Sequence, residues 1–280
     1  MNYRHAFHAG NFADVFKHVL LSRILAYLAR KPAPFRYIDT HSGIGRYDLS
    51  GDEATRTGEW RGGIARLAAA PRPPAVADLL APYLDAVGPI DPEGRPFTYP
   101  GSPAIAQALL RPDDRMLLAE LHPEDAGTLR RAMGRDKRVK ILERDGYAVL
   151  NAALPPPERR GLVLIDPPFE DRDEFPRLVE ALAQACRKWA TGVYAVWYPI
   201  KAPAPLAAFH QGLRERRLPP CCLIELQRDA ADGTLRGCGL LVVNPPFVLA
   251  DEARQLLPFL AEALRDPAAA PWHGRVEDWP

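Results

Sequence analysis

Residues 161–170, GLVLIDPPFE, leave this chain few ways to fold. Leu162 to Ile165 are four consecutive apolar residues with the length and branching of a buried parallel strand. That strand stops at Asp166-Pro167-Pro168-Phe169. An acidic residue at the carboxyl end of a strand stands where open α/β sheets place their ligands. Pro167 and Pro168 fix φ and donate no N–H, so the carbonyls of Asp166 and Pro167 are held stiffly and left free. Phe169 offers a flat face on which a base can stack. Two rigid acceptors beside an aromatic plate suit a planar group that carries an –NH₂, such as the edge of adenine. A strand ended by prolines beside a core Phe is the plain reading of the tetrapeptide alone; the rest of the chain weighs against it.

A second stretch, FRYIDTHSGIGRY at 35–47, has Tyr37 and Ile38 closing a short strand, followed by Asp39, His41, Gly43 and Gly45 in a glycine loop. Glycines two apart let backbone approach a ligand closely. The third glycine and immediate helix of a dinucleotide fingerprint are missing, which argues against NAD or FAD. The arrangement D-x-x-x-G-x-G is that of S-adenosylmethionine enzymes, where the loop cradles the amino-acid end of the cofactor.

From Ser102, read as an N-cap with Pro103 at the first helical position, strands and helices alternate. Strands are expected at 115–121, 138–143, 161–165 and 192–198, with helices at 103–110, 123–134, 147–153, 173–189 and 204–216 between and after them. Strands 221–228 and 237–243 form a hairpin. Helix 250–265 and a polar tail finish the chain. The pattern predicts a doubly wound, mostly parallel α/β sheet of seven strands with an antiparallel pair at one side. An amphipathic helix over 13–28 precedes it, ended at Lys31-Pro32. Residues 48–98, rich in Pro, Gly, Arg and Glu, break the βα rhythm and read as a small helical insertion, with 1–47 and 99–280 forming the main domain. Such insertions serve as substrate-recognition elements or as packing decorations.

Acidic residues recur at strand ends: Asp39, then Glu120, where an acidic side chain typically binds a ribose diol, then Asp145, then Asp166. Each alone reads as a helix cap; four in succession point to one ligand-binding edge. Asn244-Pro245-Pro246-Phe247 repeats the acceptor-Pro-Pro-aromatic pattern, but it follows a strand antiparallel to its neighbours. Its end is therefore expected at the opposite edge, as a structural stop.

Net charge is +1 and pI about 7.7, so no global field draws nucleic acid, and any such contact must be local. Arg130, Arg131, Arg135, Lys137 and Arg138, and separately Arg214, Arg216 and Arg217, are candidate phosphate contacts or simply solvated helix faces. The four cysteines lack CxxC spacing and read as reduced thiols of a cytosolic protein. His5 and His8 have no third ligand nearby, so no metal is expected. No run nears the roughly 18 apolar residues of a membrane span.

With these motifs in one order, the chain resembles the bacterial 23S ribosomal RNA adenine-N(6) methyltransferases of the RlmJ family over nearly its whole length. The matching stretches include YRHAFHAGNFADVFKH, YIDTHSGIGRY, YPGSP, ELHP, RDG, IDPPFE, WYP and NPPF. The resemblance implies a Rossmann-like methyltransferase sheet with a helical insertion, and S-adenosylmethionine as the cofactor. His18, His41, Ser102, Glu120, Asp145 and Gly146 would contact it, with Lys17 a family residue beside His18. Asp166 would hold the target amine, and Tyr3 would touch the RNA. The target implied is the adenine numbered 2030 in the family's RNA, in 23S rRNA that is protein-free or in an early assembly intermediate, modified by a cytoplasmic monomer. Phe169 stands where Tyr is common, which keeps the stacking face. Residues 1–12 are expected to be a flap that orders over the ligands. The alternatives are methylation of guanine N(2), of DNA adenine or of a protein glutamine, and, from another class, a non-catalytic RNA-binding module, which would have no need of Asp166-Pro-Pro-Phe.

Overall fold

The computed structural model describes residues 4–230 and 234–279. A 3-10 turn (His5–Phe7) leads into helix α1 (Phe12–Ala29), whose start is capped by the Asn11 side chain accepting from the N–H groups of Ala13 and Asp14. Strand β1 (Arg36–Asp39) follows, then β2 (Arg46–Tyr47), which pairs antiparallel with β3 (Tyr99–Pro100) to close the neck of the 48–98 segment. Within that segment lie α2 (Asp52–Thr57), a 3-10 turn (Glu59–Gly62), α3 (Ile64–Ala69) and α4 (Pro74–Val87). Trp60, Ile64, Leu67, Leu80 and Tyr83 from this segment share one apolar core with α1.

Beyond the neck the alternation is regular. It runs α5 (Ser102–Leu109), β4 (Arg115–Glu120), α6 (Pro123–Met133), β5 (Val139–Glu143), α7 (Gly146–Ala153), β6 (Gly161–Ile165), α8 (Glu174–Lys188), β7 (Val193–Ile200) and α9 (Pro203–Glu215). Strands β8 (Cys221–Gln227) and β9 (Gly237–Val243), helix α10 (Leu249–Ala263) and strand β10 (His273–Trp279) complete the order.

The main sheet runs β10-β8-β9-β7-β6-β1-β4-β5, parallel from β7 to β5 and antiparallel from β10 to β7. Among the described residues it has eight strands, one more than expected. The polar tail is itself a strand, β10, paired along all of β8. The alternation of β6 fills both faces: Leu162 and Leu164 join the core under α1, and Val163 and Ile165 the core under α8 and α9. Each such fully buried side chain contributes roughly 1.5–3 kcal/mol.

Two further expectations are corrected. Helix α1 is buried nearly all round, because α4, α5 and α10 flank it and the sheet lies beneath. Its polar residues must therefore find partners inside the protein. Arg23, for example, makes a bidentate pair with Glu252 of α10 at 2.8 and 2.9 Å. Ser102 is the first helical residue of α5 and Gly101 the N-cap, so the Ser102 hydroxyl is free for another use.

Candidate active site

The carboxyl ends of β1, β4, β6 and β7 open into a cavity of about 340 Å³. Glycine-loop residues line it on the β1 side: His41, Ser42 and Gly43. Glu120 and Leu121 line it at β4, Asp166, Pro167, Pro168 and Phe169 at β6, and Trp197, Pro199 and Lys201 at β7. The inner face of α1 supplies Asp14, Lys17 and His18, and the preceding segment His5 and His8.

At β6 the chain turns through the two prolines into Phe169, whose φ of +51° lies in the left-handed region. A non-glycine residue held there is uncommon and is sustained by its surroundings. Here the ring is seated 5.0 Å from Phe175 and 5.8 Å from Trp197, centroid to centroid. Asp166 Oδ2 accepts from Lys17 Nζ at 2.6 Å, while Oδ1 makes no hydrogen bond among the described residues. Lys17 in turn pairs with Asp14 Oδ1 at 3.0 Å, and Asp14 Oδ2 accepts from the Gly10 N–H and meets His5 Nε2. Burial works against ionisation of Asp14, but His5 and Lys17 outweigh it and hold the carboxyl well below its usual range.

His18 is fully buried. Its Nδ1 meets the Tyr99 hydroxyl at 2.9 Å, and Tyr99 meets Tyr83 of α4 at 3.1 Å, which links the 48–98 segment to the cavity wall. Burial pushes the imidazole down to about 3, so the ring is neutral at physiological pH. Its Nε2 is buried and has no hydrogen-bond partner among the described residues, the nearest carboxylate, Asp14 Oδ1, standing 3.8 Å away. His41, on the glycine loop, is likewise pushed down to about 4 by burial.

The glycine loop is shaped by Gly43 and Gly45, with φ of +59° and +83°. Glu120 Oε2 accepts the Gly43 N–H at 2.8 Å and Oε1 accepts the His122 N–H at 2.8 Å. Burial raises the Glu120 pKa and these two donors oppose the rise. Asp39 lies beneath the loop rather than on the cavity wall. Its carboxylate accepts from Tyr37, from Ser102 at 2.7 Å and from the His41 N–H. Burial pushes it up to about 6.

Asp145 and Gly146 also stand off the wall. Asp145 caps α7 through the Ala148 N–H and pairs with Arg177 at 2.7 Å. A side chain at Gly146 would overlap the Thr40 carbonyl oxygen, so glycine there lets the start of α7 approach the chain just past β1. Tyr3 lies outside the described residues. The segment after it is tied down at three points: Arg4 to Glu124 and Asp125, His5 to Asp14, and His8 to Glu59. Among the lining residues that sequence reasoning missed are Asp14, Glu59, Trp197 and Lys201. The first had a signal, since Asp14, Lys17 and His18 fall at i, i+3 and i+4 on one face of an otherwise apolar helix.

The second Pro-Pro segment is at the other end of the sheet, as expected. Asn244 donates to the carbonyls of Ala190 and Gly192, just before β7 begins. Arg138 directly precedes β5, and Arg214 to Arg217 lie at the end of α9, both at the edge away from the cavity. Arg130, Arg138 and Arg216 are paired with Glu143, Asp136 and Glu180. Among the described residues no group of three or more His, Cys, Asp or Glu could hold a metal, and no helix is long and apolar enough to cross a membrane.

Residues 32–277 match the family model described as Ribosomal RNA large subunit methyltransferase D, RlmJ. Proteins described as Ribosomal RNA large subunit methyltransferase J are similar along nearly the whole chain. That of Haemophilus influenzae is 40% identical over 275 residues, 97% of each chain, and that of Escherichia coli 40% over 266 residues, 94% of each. The crystal structure of protein LPL1258 from Legionella pneumophila superposes with a TM-score of 0.86 at 36% identity, covering 97% of this chain and 98% of that one.

Proposed function

Because the chain belongs to the RlmJ family of ribosomal RNA large subunit methyltransferases, we propose that it methylates the exocyclic N6 amine of an adenine in 23S rRNA, at the position the family numbers 2030, with S-adenosylmethionine as donor. The observation that carries this reading is Asp166: one carboxylate oxygen is committed to Lys17, the other is open, and the group stands beside Phe169. The wall suits the donor by its own chemistry. His18 Nε2 is a buried nitrogen with no hydrogen-bond partner among the described residues, and Glu120 is an acceptor at the strand end where a ribose diol is bound. Asp145, which already accepts from the Ala148 N–H and Arg177, keeps acceptor capacity for the adenine amine of the cofactor.

S-adenosylmethionine supplies an electrophilic methyl group on a sulfonium. The chain's part is to present a nucleophile. An adenine amine is weakly nucleophilic because its lone pair is delocalised into the ring. Asp166 Oδ1 and the Pro167 carbonyl accept its two hydrogens, which favours a pyramidal nitrogen with its lone pair free to attack. Lys17 fixes the carboxylate so that Oδ1 is the oxygen presented. Holding the two reactants in line accounts for most of the rate enhancement, and Asp166 Oδ1 takes the proton that the methylated nitrogen loses. Phe169 stacks on the base, which must first leave its own stack. Tyr3 is read as a further RNA contact, supported by the anchoring of Arg4 at the rim. The 48–98 segment is read as the helical insertion of the family, and the cytoplasm as the place of action.

The test is incubation with labelled S-adenosylmethionine and protein-free 23S rRNA, then digestion and mass spectrometry. N6-methyladenosine is the expected product. N2-methylguanosine as the product would overturn the assignment.

A further inference from the structure

Five carboxylates line the cavity, Asp14, Glu59, Glu120, Asp125 and Asp166, and a phosphate entering it needs a cation not already engaged by them. Three of the cationic or cation-forming groups on the same wall are committed to them. Lys17 is held by Asp14 and Asp166, His5 by Asp14, and His8 by Glu59. Lys201 is different. It follows the last residue of β7, is exposed, lines the cavity, and has no carboxylate partner among the described residues. Glu59 raises the pKa of His8, and Lys201 opposes that rise from across the mouth.

Sheet order sets what Lys201 can reach. Glycine-loop and Glu120 residues stand at β1 and β4, the Asp166 loop at β6, and Lys201 at β7, one strand farther on. Neighbouring strands are about 4.8 Å apart. A base seated against Asp166 therefore has the cofactor wall on one side and Lys201 on the other, where its sugar and phosphate must leave. The start of α9 cannot take that phosphate unaided, since Pro203 and Pro205 remove two of its first N–H donors.

We propose that Lys201 holds a backbone phosphate of the target nucleotide or its immediate neighbour, and so positions the RNA strand for methyl transfer. The proposal rests on the reading of the site as an adenine methyltransferase acting on RNA.

The test compares wild type with Lys201→Ala and Lys201→Arg on protein-free 23S rRNA over a salt series, with S-adenosylhomocysteine affinity measured by calorimetry on each variant. Lys201→Ala should raise KM for RNA about ten-fold with kcat within about two-fold, and Lys201→Arg should restore most of the loss, as a phosphate contact predicts. The slope of log affinity against log salt should become shallower by about 0.7–0.9, the value of one lost phosphate contact. An unchanged KM and salt slope in an active Lys201→Ala protein would overturn the proposal and leave the methyltransferase reading standing. So would a loss confined to S-adenosylhomocysteine affinity, which would place Lys201 on the cofactor. If wild type itself fails to methylate RNA, the reading beneath falls and the proposal with it.

Discussion

Lys17 Nζ stands 2.6 Å from Asp166 Oδ2, so one ammonium on α1 orients the carboxylate that ends β6. The same ammonium reaches Asp14, which anchors His5 and the Gly10 N–H. Helix, strand end and the leading segment of the chain are thus joined through a single charge network.

Removing that charge should cost stability as well as activity. Lys17→Met leaves buried Asp14 with His5 as its remaining partner, and breaking a buried pair in this way costs up to about 3–5 kcal/mol. Urea denaturation should show the loss, and Lys17→Met combined with Asp14→Asn should recover part of it. Equal stability of wild type and Lys17→Met would mean that the pair is not formed in solution.

The two Pro-Pro segments should respond differently. Asp166→Ala should abolish methyl transfer while cofactor affinity stays within a few-fold. Asn244→Ala should remain active. It loses two hydrogen bonds and places Ala at a φ of +51°, so a destabilisation of about 1–3 kcal/mol is expected in thermal melts. An inactive but folded Asn244 variant beside an active Asp166 variant would reverse the assignment.

Glu120→Ala should weaken S-adenosylmethionine binding by about 1–3 kcal/mol, through lost charged hydrogen bonds and a glycine loop deprived of its Gly43 acceptor. Glu120→Gln, which keeps one acceptor oxygen, should lose less. Calorimetry on folded protein decides, and unchanged affinity in Glu120→Ala would remove the residue from the cofactor site.

Asp39 gives the fold a pH dependence of definite sign. Burial raises its folded pKa from 3.8 to about 6, so the folded state holds the proton more tightly than the unfolded chain. The stabilisation from this group is present in full below about pH 4, falls as pH rises, and is lost above about 6. The difference in Tm between wild type and Asp39→Asn should therefore shrink or reverse between those limits. A difference that is flat across the range would contradict the raised pKa.

What could be read from the sequence was local. The acidic strand ends at 39, 120, 145 and 166 were legible because each lies beside the apolar run that places it. The Asp39 carboxylate supports the glycine loop, and that of Asp145 caps α7. A strand end fixes where the backbone stops but leaves open whether the carboxylate faces the ligand, caps a helix or supports a loop. The network of Asp14, Lys17 and Asp166 was out of reach because its partners are separated by 149 residues in sequence. Helix α1 looked amphipathic because its buried charges resemble a solvated face until their partners are known. The eighth strand was missed because His273–Trp279 carries Arg275, Glu277 and Asp278 and buries only Trp279 fully, the signature of an outermost strand rather than a central one.

That outermost strand also protects the molecule from its own kind. Cys221 to Leu226 of β8 are all buried, and without β10 this apolar strand would be left with a row of unpaired backbone groups, a ready template for another chain. Capping it with a strand that carries Arg275, Glu277 and Asp278 replaces an adhesive border with a charged one. A chain ended at residue 272 should therefore reveal itself first by self-association, through light scattering that grows with concentration, before any loss of methyl transfer is seen.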